Sequence, residues 1–316
     1  MKNPPTSLTQ TLLMCYQTQV FMIQDCIHSL YTGYYQVYGR QHLNYASLIA
    51  KVADFALHQI LHSDAPYHDV EHTILVTLAG QAILQGKYLS EGNVSPSEWL
   101  HSIIALLCHD IGYIKGICAS DKIPDRIYVA GQNGGLIQLP PEATDASLTP
   151  YHIDRGKQFV QEYFEQNPLI NITTLQNYIE LTRFPVPNDE EHRDTTDYPG
   201  LIRAADLIGQ LADQKYLKKM PNLFQEFEET GTNQQLGYAH PDHIREAYPK
   251  FFNNVVAQYI QTGLYYLSLT IEGNQIIHNL YQNVESAKQH PEHKLGNAYL
   301  ISAYNSSRSS ISSQKR

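Results

Sequence analysis

The segment Pro66-Tyr67-His68-Asp69-Val70-Glu71-His72 places two imidazoles four residues apart. On a helix that spacing is about 40° of rotation and one turn of rise, so His68 and His72 can face one cavity. A second segment, Ala105-Leu106-Leu107-Cys108-His109-Asp110-Ile111-Gly112, ends an apolar run on an adjacent His-Asp pair. The apolar run drives that helix into the core, and a buried carboxylate beside a buried imidazole needs a cation or a hydrogen-bond network. A third, Ile202-Arg203-Ala204-Ala205-Asp206-Leu207-Ile208-Gly209, sets a lone acid among apolar helix positions, where it too needs a partner. One shared site accounts for all three. His72, His109, Asp110 and Asp206 form a two-imidazole, two-carboxylate set suited to a divalent ion of the Mn, Fe, Co, Ni or Zn kind, or to Mg. Four protein ligands on a six-coordinate ion leave room for water, whose lowered pKa makes it a nucleophile near neutral pH. The plainer alternatives are exposed helix histidines at 68 and 72, a helix-terminal His109 answering the dipole, and a solvated acid at 206.

The order His … His-Asp … Asp resembles the HD superfamily of metal-dependent phosphohydrolases, and YHDVEH at 67–72 is similar to the YHNxxH signature of its class I cyclic-nucleotide phosphodiesterases. The resemblance covers roughly residues 45–230. It implies an all-α, PDEase-like helical bundle holding one or two divalent ions. His72, His109, Asp110 and Asp206 would be the ligands, with Asp110 able to bridge to a second ion. A metal-bound hydroxide would attack phosphorus, and His68 would be the general acid that protonates the leaving oxygen. Asp69 and Glu71 are the nearest acids in sequence to support its charge. The implied substrate is a small nucleotide-like phosphoester, a cyclic-nucleotide diester first and a nucleoside monophosphate second. One position departs: the phosphodiesterases usually carry a further His three residues after the Asp of the HD pair, where this chain has Tyr113. Tyr113 favours the alternative reading, a regulatory module that binds metal and nucleotide with little turnover. HDIGY is also similar to the HDIGK stretch of the branch that hydrolyses cyclic dinucleotides, whose Lys appears here only as Lys115.

Four further residues are candidate substrate contacts: Arg155, Arg183, His152 and Tyr67. An arginine holds a phosphate by a bidentate fork, although a structural arginine is the commoner outcome. His152 is expected in an exposed first helical turn, with a ligand to a second metal as its alternative. Cys108 reads as a small core residue.

The elements that must position these groups are helical. Apolar residues recur at three- and four-residue steps over 6–39, 45–62 and 69–84, and the run from 96 to 113 is apolar nearly all round. Helical patterning resumes at 151–166, 172–183, 199–229, 242–270 and 273–289. Between them, IYVAGQNGGLIQLPP sets β-favouring residues on both sides of Asn133-Gly134, which predicts a small hairpin at 126–139, placed to act as a lid or to be a plain surface excursion. No linker divides the chain, so the expectation is one domain over 1–300, with a core at about 45–230, flanking terminal helices and a disordered Ser-rich tail at 301–316. The net charge of −9 argues against nucleic acid and anionic membranes as partners. No apolar run is long enough to span a bilayer. Four cysteines without a CxxC pair read as reduced thiols of a cytoplasmic protein. A homo-oligomer is compatible with the Tyr-rich stretch at 31–38.

Overall fold

The computed structural model describes residues 8–131 and 134–289. The tail expected to be disordered and the central turn residues of the expected hairpin lie outside them. The fold is all-α with one two-stranded excursion. The first helices are α1 (Leu8–Tyr38), α2 (Leu43–Leu61), α3 (Val70–Glu91) and α4 (Pro96–Cys108). After the excursion come α5 (His152–Phe164), α6 (Ile172–Glu180), α7 (Tyr198–Leu211), α8 (Met220–Glu229) and α9 (Thr232–Leu236). The chain closes with α10 (Pro241–Phe251), α11 (Ala257–Leu267) and α12 (Ile271–Lys288).

Side chains set the helix starts. Asp69 caps α3 by accepting from the His72 amide at 2.9 Å. Ser95 caps α4 ahead of Pro96, its Oγ accepting from the Glu98 amide and donating to the Glu98 carboxylate. Asp197 caps α7 ahead of Pro199 and accepts from the Gly200 amide at 2.8 Å. The nearly all-round apolarity of α4 has its expected outcome: every residue from Trp99 to Cys108 is buried.

The hub is α3, which packs against α1, α2, α4, α7, α11 and α12. Its approach to α7 depends on glycine. A Cβ on Gly209 would lie 2.5 Å from the Val76 Cα, so the two backbones are in contact at that crossing. His72 precedes Val76 by one turn and Asp206 precedes Gly209 by three residues, so the crossing brings these two side chains to one place.

Three helix boundaries differ from the sequence reading. The run from 96 to 113 ends as an α-helix at Cys108, and Ile111–Tyr113 forms a tight 3₁₀ turn. The 199–229 pattern is two helices, because Asn283 of α12 donates to the carbonyls of Leu211 and Asp213 and stops α7 there. The 242–270 pattern is broken by a π turn at Phe252–Val256, just after Pro249, which has no amide hydrogen to donate.

The excursion is an antiparallel pair, β1 (Ile127–Val129) and β2 (Leu136–Gln138), with Tyr128 opposite Ile137. Tyr128, Leu139 and Leu148 form a small apolar cluster of their own beneath it. No helix among the described residues is long and apolar enough to cross a membrane.

Candidate metal centre

Three helices deliver four side chains to one buried point. His72 comes from the first turn of α3, His109 from the C-cap of α4, Asp110 from the turn that follows, and Asp206 from the middle of α7. The His72 and His109 Nε2 atoms are 3.4 Å apart. Asp110 Oδ2 lies 3.1 Å from His72 Nε2 and 3.2 Å from His109 Nε2. Asp206 Oδ1 lies 3.8 Å and 3.6 Å from the same nitrogens. Two donors each ~2.1 Å from a common ion stand ~3.0 Å apart at a right angle and ~3.4 Å apart at the tetrahedral angle. The His72, His109 and Asp110 separations fall in that range, the Asp206 separations are wider, and the groups compact enough to hold an ion are two triads, His72–His109–Asp206 and His68–His72–Asp110.

The donor chemistry agrees. His109 Nδ1 is 2.7 Å from the Leu106 carbonyl, and as a donor there it leaves Nε2 with a free lone pair. Asp110 Oδ2 is buried without a hydrogen-bond partner. Two imidazole nitrogens and two carboxylates facing one another need a positive charge between them. A proton on His109 Nε2 meets part of that need, and an ion binding there would displace it. Burial raises the Asp110 carboxyl, but His109, His72 and His68 around it outweigh burial and hold it well below the usual carboxylate range. Burial lowers His109, yet Asp110 and Asp206 push it well above the usual imidazole value.

The turn after His109 is fixed by Gly112. A Cβ there would lie 1.9 Å from the His152 carbonyl, so only glycine lets the start of α5 pack against this turn. That contact corrects the expected place of His152. It is half-buried, not exposed, and its Nε2 points at the second oxygen of Asp110 across 3.8 Å. Its Nδ1 is 2.6 Å from the Thr149 carbonyl, and burial pushes its pKa down to about 4.

His68 is off the helix. It lies in the loop before Asp69, so its nearness to His72 (ring centroids 5.3 Å apart) owes nothing to helical spacing. What aims it is Glu226, which the sequence reading missed. Glu226 Oε2 is 2.6 Å from His68 Nδ1, and Oε1 accepts from the amides of Tyr67 and His68 at 2.6 and 3.0 Å. Asn222 adds a hydrogen bond to the Pro66 carbonyl. Burial lowers the His68 pKa, but Glu226 overrides it and lifts the group to about 9. Asp69 and Glu71, the acids nearest in sequence, are engaged elsewhere: Asp69 caps α3 and Glu71 pairs with Lys215 and Lys219. A signal for Glu226 exists in the sequence. Met220, Leu223 and Glu226 recur at three-residue steps on the buried stripe of α8, and an acid on such a stripe needs a cationic partner.

Tyr113 forms the wall beside His68. Its ring is stacked between His68 (4.6 Å, 16°) and His152 (4.5 Å, 23°). Tyr67 is buried edge-on against His68. Both phenols are driven well above their usual pKa by burial and stay protonated.

The two arginines do other work. Arg155 is wholly buried, and its five N–H donors go to Gly112 O, Ile114 O, Val129 O and the two oxygens of Asp121. With no donor left for a phosphate, it staples α5, the turn after Asp110 and strand β1 together. Arg183 is held by Glu180 and Asp154, tying the end of α6 to α5.

Fold and site together define an all-helical protein built around a buried cluster of two histidines and two aspartates. The chain belongs to the Npun_R2479-like family, whose profile matches residues 16–290. Neither the curated proteins nor the solved structures contain a match to it.

Proposed function

We propose that this chain is a metal-dependent phosphohydrolase of the HD type, hydrolysing a small nucleotide-like phosphoester in the cytoplasm. A cyclic-nucleotide diester is the first candidate substrate and a nucleoside monophosphate the second. The observation that carries the reading is the convergence of four ligand atoms at 3.1–3.8 Å beside a histidine that is held protonated. His72, His109, Asp110 and Asp206 would hold the ion. Bound there, a divalent cation supplies a Lewis acid for a phosphoryl oxygen and lowers the pKa of water.

The chain's own residues account for the rest. His68 presents Nδ1 to Glu226, which leaves Nε2 to face the reacting ester. A protonated Nε2 can donate to the departing oxygen, which would otherwise leave as a high-energy alkoxide. Glu226 keeps the proton on the ring, and the stack on Tyr113 fixes the ring plane. Tyr67 and Tyr113, both buried and neutral, bring no charge that would repel an anionic substrate.

One observation favours the second reading, a binding module with little turnover. Tyr113 is buried between His68 and His152, so a phenol that ligates poorly fills the space beside Asp110. The two readings separate on metal content and on a phosphoester panel assayed with Mn, Mg, Co and Ni. The hydrolase reading expects turnover, and His68→Ala lowering kcat by about 10²–10⁴ with metal retained. Glu226→Gln should lower kcat with KM nearly unchanged. Metal binding without turnover of any ester supports the module, and protein with no metal affinity sinks both.

A further inference from the structure

The His–Asp cluster is nearly closed off. His72, His109 and Asp110 are buried, and what exposure the cluster and its neighbours have falls on the side chains of His68 (18%), Asp206 (16%) and His152 (14%). The mouth of the cluster lies among these three. One side of it belongs to the segment 140–151, which joins strand β2 to the start of α5. Thr149 follows the 3₁₀ turn Asp145–Leu148 of this segment. Its carbonyl accepts from His152 Nδ1 at 2.6 Å, and its side chain reaches the Tyr113 phenol.

The segment has little apolar hold on the main core. Leu148, its one fully buried large apolar side chain, packs instead in the small cluster with Tyr128 and Leu139. Its fastenings are polar. Asp64 Oδ1 accepts from the Asp145 amide at 2.6 Å, Ser63 Oγ donates to Asp145 Oδ2 at 2.8 Å, and Lys115 Nζ donates to the Ala143 carbonyl at 2.7 Å. The last fastening comes from α8. Glu229 accepts from the Thr144 amide at 2.7 Å, from the Thr144 hydroxyl at 2.6 Å and from the Ser147 hydroxyl. Asn222, Glu226 and Glu229 follow at steps of four and three, so they share one face of α8. That face grips both sides of the mouth: the 66–68 loop through Asn222 and Glu226, and the 144–147 turn through Glu229. The two grips differ in depth. Glu226 is buried and Glu229 is exposed, and local opening starts where hydrogen bonds face water.

We propose that the segment 140–151 is a strap that opens and closes the mouth of the buried His–Asp cluster, with Glu229 as its catch. Glu229 is a positioning residue: it acts by holding Thr149, and through Thr149 His152, in the closed arrangement. The purpose of the strap, admitting an ion, rests on the metal centre proposed above. A gate changes how fast an ion passes but not how tightly it is held, so long as the closed state stays in the majority.

Mn(II) uptake by the chelator-treated full chain, and its loss to excess EDTA, give both rates by stopped flow. Losing the three exposed hydrogen bonds of Glu229 should speed both rates ~10-fold or more in Glu229→Ala, with the dissociation constant nearly unchanged. Ser147→Ala, which removes one of them, should move the rates the same way by less. Glu229→Gln, whose carboxamide still accepts from the Thr144 amide, should stay near wild type. Unchanged rates in Glu229→Ala overturn the strap. So does weakened binding with an unchanged uptake rate, the mark of plain structural damage. A chain that takes up neither Mn(II) nor Zn(II) refutes the metal centre, and diethyl pyrocarbonate labelling of His152, read by peptide mass spectrometry, then decides on the strap. Faster labelling in Glu229→Ala supports it, and equal labelling overturns it.

Discussion

Replacing Arg155 by Met separates a structural arginine from a substrate-binding one. The substitution keeps a long apolar stem and removes the guanidinium. It leaves the Asp121 carboxylate, wholly buried against Arg155 at 2.9 Å, without its cation. It also strips donors from three backbone carbonyls, at Gly112, Ile114 and Val129. Breaking a buried ion pair from one side costs about 3–5 kcal/mol. That is roughly a 10²- to 10⁴-fold fall in the folding equilibrium constant. Urea denaturation followed by circular dichroism measures it directly. Asp121→Asn should cost a comparable amount, and the double variant should cost less than the sum of the singles, because the two side chains form one unit. If Arg155→Met costs under ~1 kcal/mol while raising KM for a phosphoester, Arg155 holds substrate and the staple reading is wrong.

Other predictions rest on different features. Protein purified without chelator should retain a divalent metal, His109→Ala should abolish its occupancy, and chelator should lower the Tm, because an ion held only by the folded state stabilises that state. A rise in Tm on chelation would contradict the site. Burial pushes the thiols of Cys26, Cys108 and Cys118 up to about 12. In a thiol-reagent assay at pH 8 these three should react only after denaturation, and rapid native labelling of Cys108 would break the packing argument for α4. Burial raises the Glu180 carboxyl, but Arg183, His192 and Lys157 together hold it well below its usual range. Its stabilisation is therefore complete above the ordinary carboxylate pKa and fades as pH falls below it. Glu180→Gln should flatten the acid limb of the stability profile, and an unchanged limb would argue against that network.

Most of the architecture and part of the placement of the candidate site could be read from the chain. Helical periodicity located the main elements, because a half-buried helix advertises its buried face. The Asn-Gly hairpin and the fully buried α4 were equally readable. The convergence of His72, His109, Asp110 and Asp206 followed from asking how acids on apolar helices can be satisfied. What failed was information carried by distant partners. The split between α7 and α8 is made by Asn283, and Glu226 reaches His68 from a helix that follows α7 in the chain. His68 reaches the site from a loop, so helical spacing gave the right neighbour for the wrong reason. Arg155 looks like a phosphate ligand until its five acceptors are known, and all five lie on residues that precede it by 26 to 43 positions.

The glycine-dependent crossing of α3 and α7 also bears on kinetics. Asp206 cannot meet His72 until α7 has closed onto α3, one of the longest-range contacts in the core. A cation held as proposed would gain its Asp206 ligand only once that contact has formed, and so would not act as a seed for the nascent structure. Added metal should therefore slow the unfolding arm of a chevron and leave the refolding arm nearly where it was.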